Sequence, residues 1–147
     1  MKKQEHPYSE LYVEDAMTTV AFSFDYAVRA LNLTLEEYLD KFLNFQYIHL
    51  LETGNPHYVA GMSGCELALE ICGLDDGPKS PPYEPWIEYW IGMNLAKYQW
   101  LRNIPYKEII EKFSLERFKY AFPSMHQEHP NRIIEYMDEI LLGKKYA

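Results

Sequence analysis

Cysteine is scarce in this chain. Only Cys65 and Cys72 occur among 147 residues, which excludes a disulfide-stapled miniprotein and leaves the fold to its apolar core. If both lie on one helix, seven residues at about 1.5 Å rise separate them by about 10 Å, beyond the span of a disulfide. They read as two small buried thiols in a reducing cytoplasm. The N-terminus MKKQEHPYSE has no apolar run, so no secretory leader is expected. No stretch approaches the roughly 20 predominantly apolar residues of a membrane helix. Strand-type alternation, internal repeats and low-complexity tracts are also missing. Positive charge is in short supply: 14 Lys and Arg face 22 Asp and Glu, for a net charge of -8. Nucleic-acid binding draws on phosphate neutralisation, so direct contact with nucleic acid is not expected, and a basic protein is the better electrostatic match.

Aromatic residues are abundant. Trp86 to Leu101, WIEYWIGMNLAKYQWL, holds all three tryptophans. At helical spacing Trp86, Tyr89, Trp90, Met93, Ala96, Trp100 and Leu101 line one side, and Ile87, Ile91, Leu95 and Tyr98 cover much of the other. A helix apolar nearly all round must be wrapped by others. The expected fold is therefore an all-α single domain, 1–147, of six to eight helices around this tryptophan-rich one, with residues 1–8 flexible and 74–85 a loop.

The remaining helices follow from periodicity and end signals. A helix from about Ser9 to Leu31 carries Val13, Ala16, Met17, Val20, Phe24, Ala27 and Val28 inward. Thr34 and Glu37 form a capping box, as do Ser63 and Glu66. A short helix spans Ile48 to Glu52 and stops at Gly54-Asn55-Pro56, while the helix opened by Ser63 ends at Gly73. Pro105 starts a helix to Phe113, Ser114 caps another to about Phe122, and Pro130 starts the last, which Gly143 stops. The loop LDDGPKSPPYEP contains four of the nine prolines.

Charge is unevenly spread. Residues 1–96 carry five basic against fifteen acidic side chains, and residues 97–119 carry six against three. The local cations Lys97, Arg102, Lys107, Lys112, Arg117 and Lys119 read as solvated helix faces.

Chemistry-bearing patterns are few. His126, Glu128 and His129 in HQEH suggest zinc ligands, but two helical histidines need an i, i+4 spacing, and Pro130 pushes His129 out of the helical region. No metal and no cofactor are expected. Gly61-Met62-Ser63-Gly64 resembles a nucleophile turn without its last glycine, and no strand precedes it; Ser63 reads as an N-cap. Nothing pairs Cys65 with a particular histidine. The carboxylates Glu36, Glu37 and Asp40, and Glu135, Asp138 and Glu139, read as solubility charges on exposed faces.

LYVEDAMTTVAFSFDYAV (11–28), GNPHYVAGMSGCELA (54–68), EYWIGMNLAKYQW (88–100), YKEII (106–110) and EYMDEIL (135–141) together resemble a family of small bacterial all-α proteins. Its members are encoded beside, or fused at the C-terminus to, XRE-type helix-turn-helix regulators in toxin–antitoxin-like loci. The resemblance implies a genomic context rather than a mechanism. The expected function is a non-enzymatic, antitoxin-like or regulatory module of the cytoplasm whose partner is a protein such as a toxin or a regulator. Its expected contact residues are Asn55, Tyr58, Gly61, Ser63 and Gly64, with Tyr58 the anchor if its ring is exposed. The alternatives are a small enzyme or toxin with an unrecognised site, and a DNA-binding regulator using residues 103–142, where paired short helices can mimic a helix-turn-helix.

Overall fold

Ser9 opens the first ordered turn, its side chain accepting from the Leu11 amide. A 3-10 turn at Glu10–Tyr12 then runs straight into α1, Val13–Arg29. This computed structural model describes residues 5–80 and 84–146. The other helices are α2 (Leu35–Leu43), α3 (Ile48–Glu52), α4 (Pro56–Val59), α5 (Gly64–Ile71), α6 (Ile87–Arg102), α7 (Tyr106–Lys112), α8 (Leu115–Met125) and α9 (Asn131–Leu142). The described residues form one compact all-α domain without strands. The nine α-helices among the described residues exceed the expected six to eight because α4, a single turn started by Pro56 and capped by Asn55, reads as a plain turn in the sequence.

α1 and α6 form the centre, and α6 is the element that α1 packs against most extensively. They run antiparallel: Phe22 meets Tyr89 edge-on, Gly92 abuts Ala21, and Trp100 lies beside His6 and Tyr8. A Cβ at Gly92 would stand 2.9 Å from the Ala21 Cα and the Val20 carbonyl. Glycine is what lets the two backbones approach this closely. Both capping boxes are present, with Thr34 bonded to Glu37 and Ser63 to Glu66. Gly54, Gly73 and Gly143 take positive φ at the helix ends they terminate, a region other residues enter at a steric cost.

The tryptophan helix is central, but its two faces are not equal. Ile91, Leu95, Ala96 and Tyr98 are fully buried, whereas Tyr89, Trp90 and Met93 are only partly covered. The expectation that Trp86 faces the core is corrected: it is 52 % exposed. Trp86 is the N-cap of α6, with φ -131° and ψ -145°, so helical periodicity does not reach back to place it on the stripe. Trp100, 7 % exposed, is the tryptophan that does sit in the core, its indole N–H donating to the Tyr8 carbonyl at 2.8 Å. His6 stacks on it at 3.6 Å between ring centroids. Of the segment read as flexible, then, residues 1–4 lie outside the described residues, while His6 and Tyr8 contact Trp100. The loop read at 74–85 is non-helical through residue 80, with its Pro78 carbonyl accepting from the Tyr26 hydroxyl at 2.6 Å; residues 81–83 lie outside the described residues.

A buried polar cluster closes the C-terminal side. Asp138 accepts from the Tyr98 hydroxyl at 2.8 Å, from Arg102 Nε and Nη2 at 2.9 and 2.8 Å, and from the Tyr146 hydroxyl at 2.5 Å. Burial alone would raise its pKa, but the bonds from Arg102, Tyr146 and Tyr98 outweigh that and hold it below the usual carboxylate range. The reading of Asp138 as a surface solubility charge is thus corrected: α9 turns it inward, 0 % exposed, to meet a guanidinium. No helix among the described residues is long and apolar enough to cross a membrane.

Candidate functional site

The turn between α3 and α5 brings Asn55, Tyr58, Gly61, Ser63 and Gly64 together, each with an intramolecular task. Asn55 accepts from the His57 amide at 3.0 Å and starts α4. α4 carries Tyr58 inward, where Phe45 and Tyr47 pack against its ring. Tyr58 is 6 % exposed, so the condition for its role as an exposed anchor is not met. Burial, with a hydrogen bond and charge from Glu70, pushes its hydroxyl up to about 12.

Gly61 lies against α4, and a Cβ there would come within 2.9 Å of the His57 carbonyl. Gly64 seats the start of α5 directly on α1: an added Cβ would fall 2.3 Å from Phe22 Cβ and 2.7 Å from the Ser23 amide nitrogen. The two glycines do permit close backbone approach, and the approaching backbone belongs to the same chain. Ser63 spends its hydroxyl on the Glu66 amide at 3.1 Å, and Glu66 returns a bond to the Ser63 amide at 3.0 Å. That backbone bond, then the hydroxyl, lowers the Glu66 pKa. Beside the turn a cavity of about 280 Å³ includes Asp15, Thr18, Phe22, Met62 and Ser63 in its walls.

A second region escaped sequence reasoning. Where α6 begins, Trp86 meets Phe122 edge-on at 5.0 Å and His126 at 5.2 Å, while His126 stacks on Phe122 at 4.1 Å. With Tyr89, Trp90 and Met93 these rings line a groove of about 200 Å³. Phe22, 41 % exposed, extends the aromatic surface through its contact with Tyr89. The only signal in the sequence was Pro85 before Trp86, which marks a helix start and so takes Trp86 out of the helical stripe.

The two histidines of HQEH serve opposite local roles. His126 Nδ1 lies 2.5 Å from the Phe122 carbonyl; a carbonyl only accepts, so Nδ1 carries the proton. His129 Nδ1 instead accepts from the Asn131 amide at 3.1 Å, which helps open α9. No group of three or more His, Cys, Asp or Glu capable of holding a metal occurs among the described residues. Burial raises the Cys72 thiol above its ordinary value, which keeps it protonated and unreactive.

The local cations are partly engaged. Lys119 donates to Glu36 at 2.8 Å and Arg102 is committed to Asp138, which reduces the charge available to a phosphate backbone. Family models, curated proteins and solved structures provide no match to the chain.

Proposed function

We propose that this protein is a non-enzymatic interaction module, an antitoxin-like or regulatory component of the cytoplasm that binds a protein partner through the aromatic groove at the start of α6. The observation that carries this reading is Trp86, more than half exposed yet packed edge-on against the stacked pair of Phe122 and His126. A large ring with restrained geometry loses little freedom on association, and tryptophan is enriched among residues that dominate binding energy. The acidic excess of residues 1–96 favours a basic partner and faster association at low salt. Ser63 and Gly64 line the cavity beside the turn between α3 and α5, and the part in contact of that turn, with Asn55 and Gly61, is secondary to the groove.

The test is native co-purification from source cells with mass spectrometry, followed by reconstitution with the partner identified. Trp86→Ala should weaken that complex by about 30-fold, equivalent to about 2 kcal/mol, while leaving the melting temperature nearly unchanged. Full affinity in the variant would remove the groove from the interface. Sequence-specific binding of duplex DNA by the chain at physiological salt would replace the reading with the regulator alternative.

A further inference from the structure

A second cavity adjoins the aromatic groove and differs in chemistry. It measures about 280 Å³, and its walls include Met17 of α1, Trp90 and Met93 of α6, Met125 at the end of α8, and His126 just beyond. Three of the six methionines of the chain thus meet one histidine and one indole. Met17 and Met125 pack partly against the core, whereas Met93 lines both cavities.

His126 is prepared as a ligand. Its Nδ1–H is fixed on the Phe122 carbonyl, so in the neutral ring the lone pair is on Nε2, which has no hydrogen-bond partner among the described residues. A metal-binding imidazole is commonly held in this way, by donation from its other nitrogen to a carbonyl. The remaining donors decide which metal. Hard or borderline divalent ions need oxygen or further nitrogen ligands, and these walls offer one carboxylate, Glu128, and one amide, Asn94, whose nitrogen is spent on the Trp90 carbonyl, against three thioethers, with the Lys97 cation also on them. Thioether sulfur instead selects soft monovalent ions. Methionine, unbranched with three rotatable bonds, can bring its sulfur to a shared point by rotamer change, and the Trp90 indole on the same walls is an aromatic neighbour for a monovalent cation.

We propose that this cavity binds Cu(I), or its analogue Ag(I), through His126 Nε2 and the sulfurs of Met17, Met93 and Met125. No electron transfer is involved, because the ion enters and leaves as the monovalent species. The proposal does not depend on the partner reading, since its test contains no partner.

The experiment titrates the full chain anaerobically with Cu(I) in competition with bicinchoninate. In parallel it titrates Ag(I) into protein labelled with ¹³C at the methionine methyls. One equivalent should bind, and the methyl signals of Met17, Met93 and Met125 should move while those of Met62 and Met137 stay. His126→Ala and Met93→Leu should each weaken binding at least tenfold, and Zn(II) should leave all methyl signals in place. Because thiolates are strong Cu(I) ligands, the same titration is run on Cys65→Ala/Cys72→Ala, which should bind as tightly as the natural sequence. Loss of binding in that double variant overturns the proposal, as does unchanged affinity in Met93→Leu. Absence of a one-to-one complex, or methyl shifts that do not single out these three methionines, overturns it too.

Discussion

Asp25 should make this protein more stable as the pH falls from 7 to 5. It is 3 % exposed on α1, with Arg29 Nε 3.4 Å away, and the same guanidinium lies 3.6 Å from Glu88. Burial raises the Asp25 pKa to about 6 from 3.8; Arg29 opposes the rise and the Glu88 charge adds to it. A carboxyl whose folded pKa exceeds its unfolded value binds more protons when folded. Its contribution is therefore favourable at low pH and is lost as pH rises from about 4 through 6. With these two values, the linkage relation gives at most about 1.3 kcal/mol regained between pH 7 and pH 5. Asp25→Asn keeps the shape and the Arg29–Glu88 pair but removes the titration. Urea unfolding of both proteins at pH 5, 6 and 7, at constant ionic strength, isolates the Asp25 contribution as the change in their stability difference. The variant should equal or exceed the natural sequence at pH 7, and its advantage should shrink by up to about 1.3 kcal/mol at pH 5. Parallel curves, or a variant weaker by more than about 2 kcal/mol at every pH, would mean that ionised Asp25 anchors Arg29 and that burial does not hold its carboxyl protonated near pH 5.

Other substitutions test the packing. Gly64→Ala should cost about 1–3 kcal/mol in urea unfolding, since the start of α5 must lift off Phe22 and Ser23. Trp100→Ala should cost about 3–5 kcal/mol, while Trp86→Ala changes stability by less than about 1 kcal/mol; equal losses would put both rings in the core. Tyr58→Ala should lower the thermal midpoint strongly, because its ring supports Phe45 and Tyr47; a well-folded variant would return Tyr58 to the list of surface anchors. Zinc, iron and nickel should be substoichiometric in protein purified without chelator, and one equivalent of any of them lost on His126→Ala would establish a divalent site in HQEH.

The helices were legible where local chemistry decides them. Thr34 with Glu37 and Ser63 with Glu66 announce their helices because each capping box is closed within four residues. Ala16, Val20, Phe24 and Ala27 announce their burial through spacing. Which side of α6 lies deepest was not legible, because a helix apolar on both faces has no moment to orient it. That choice rests on Gly92 meeting Ala21, a contact between distant segments. The candidate turn was legible only in part for a related reason: GNPHYVAGMSG signals close approach, but not that Gly64 meets the chain's own α1. The cluster of Tyr98, Arg102, Asp138 and Tyr146 was equally hidden, since Asp138 looks like any surface carboxylate until α9 is docked.

The pairing of α1 with α6 also sets how the chain acquires its structure. The residues that touch at Ala21 and Gly92 are about 70 positions apart, so the centre of the molecule cannot grow by zipping neighbouring helices in order. A long loop must close before the central contact is rewarded, at a cost rising as the logarithm of its length. Folding should therefore be slower than for a helical bundle of the same size with sequential neighbours. While α1 waits for α6, Val20 and Ala21 lack their neighbour on a nascent chain, and synthesis must pass Gly92 before that contact can form.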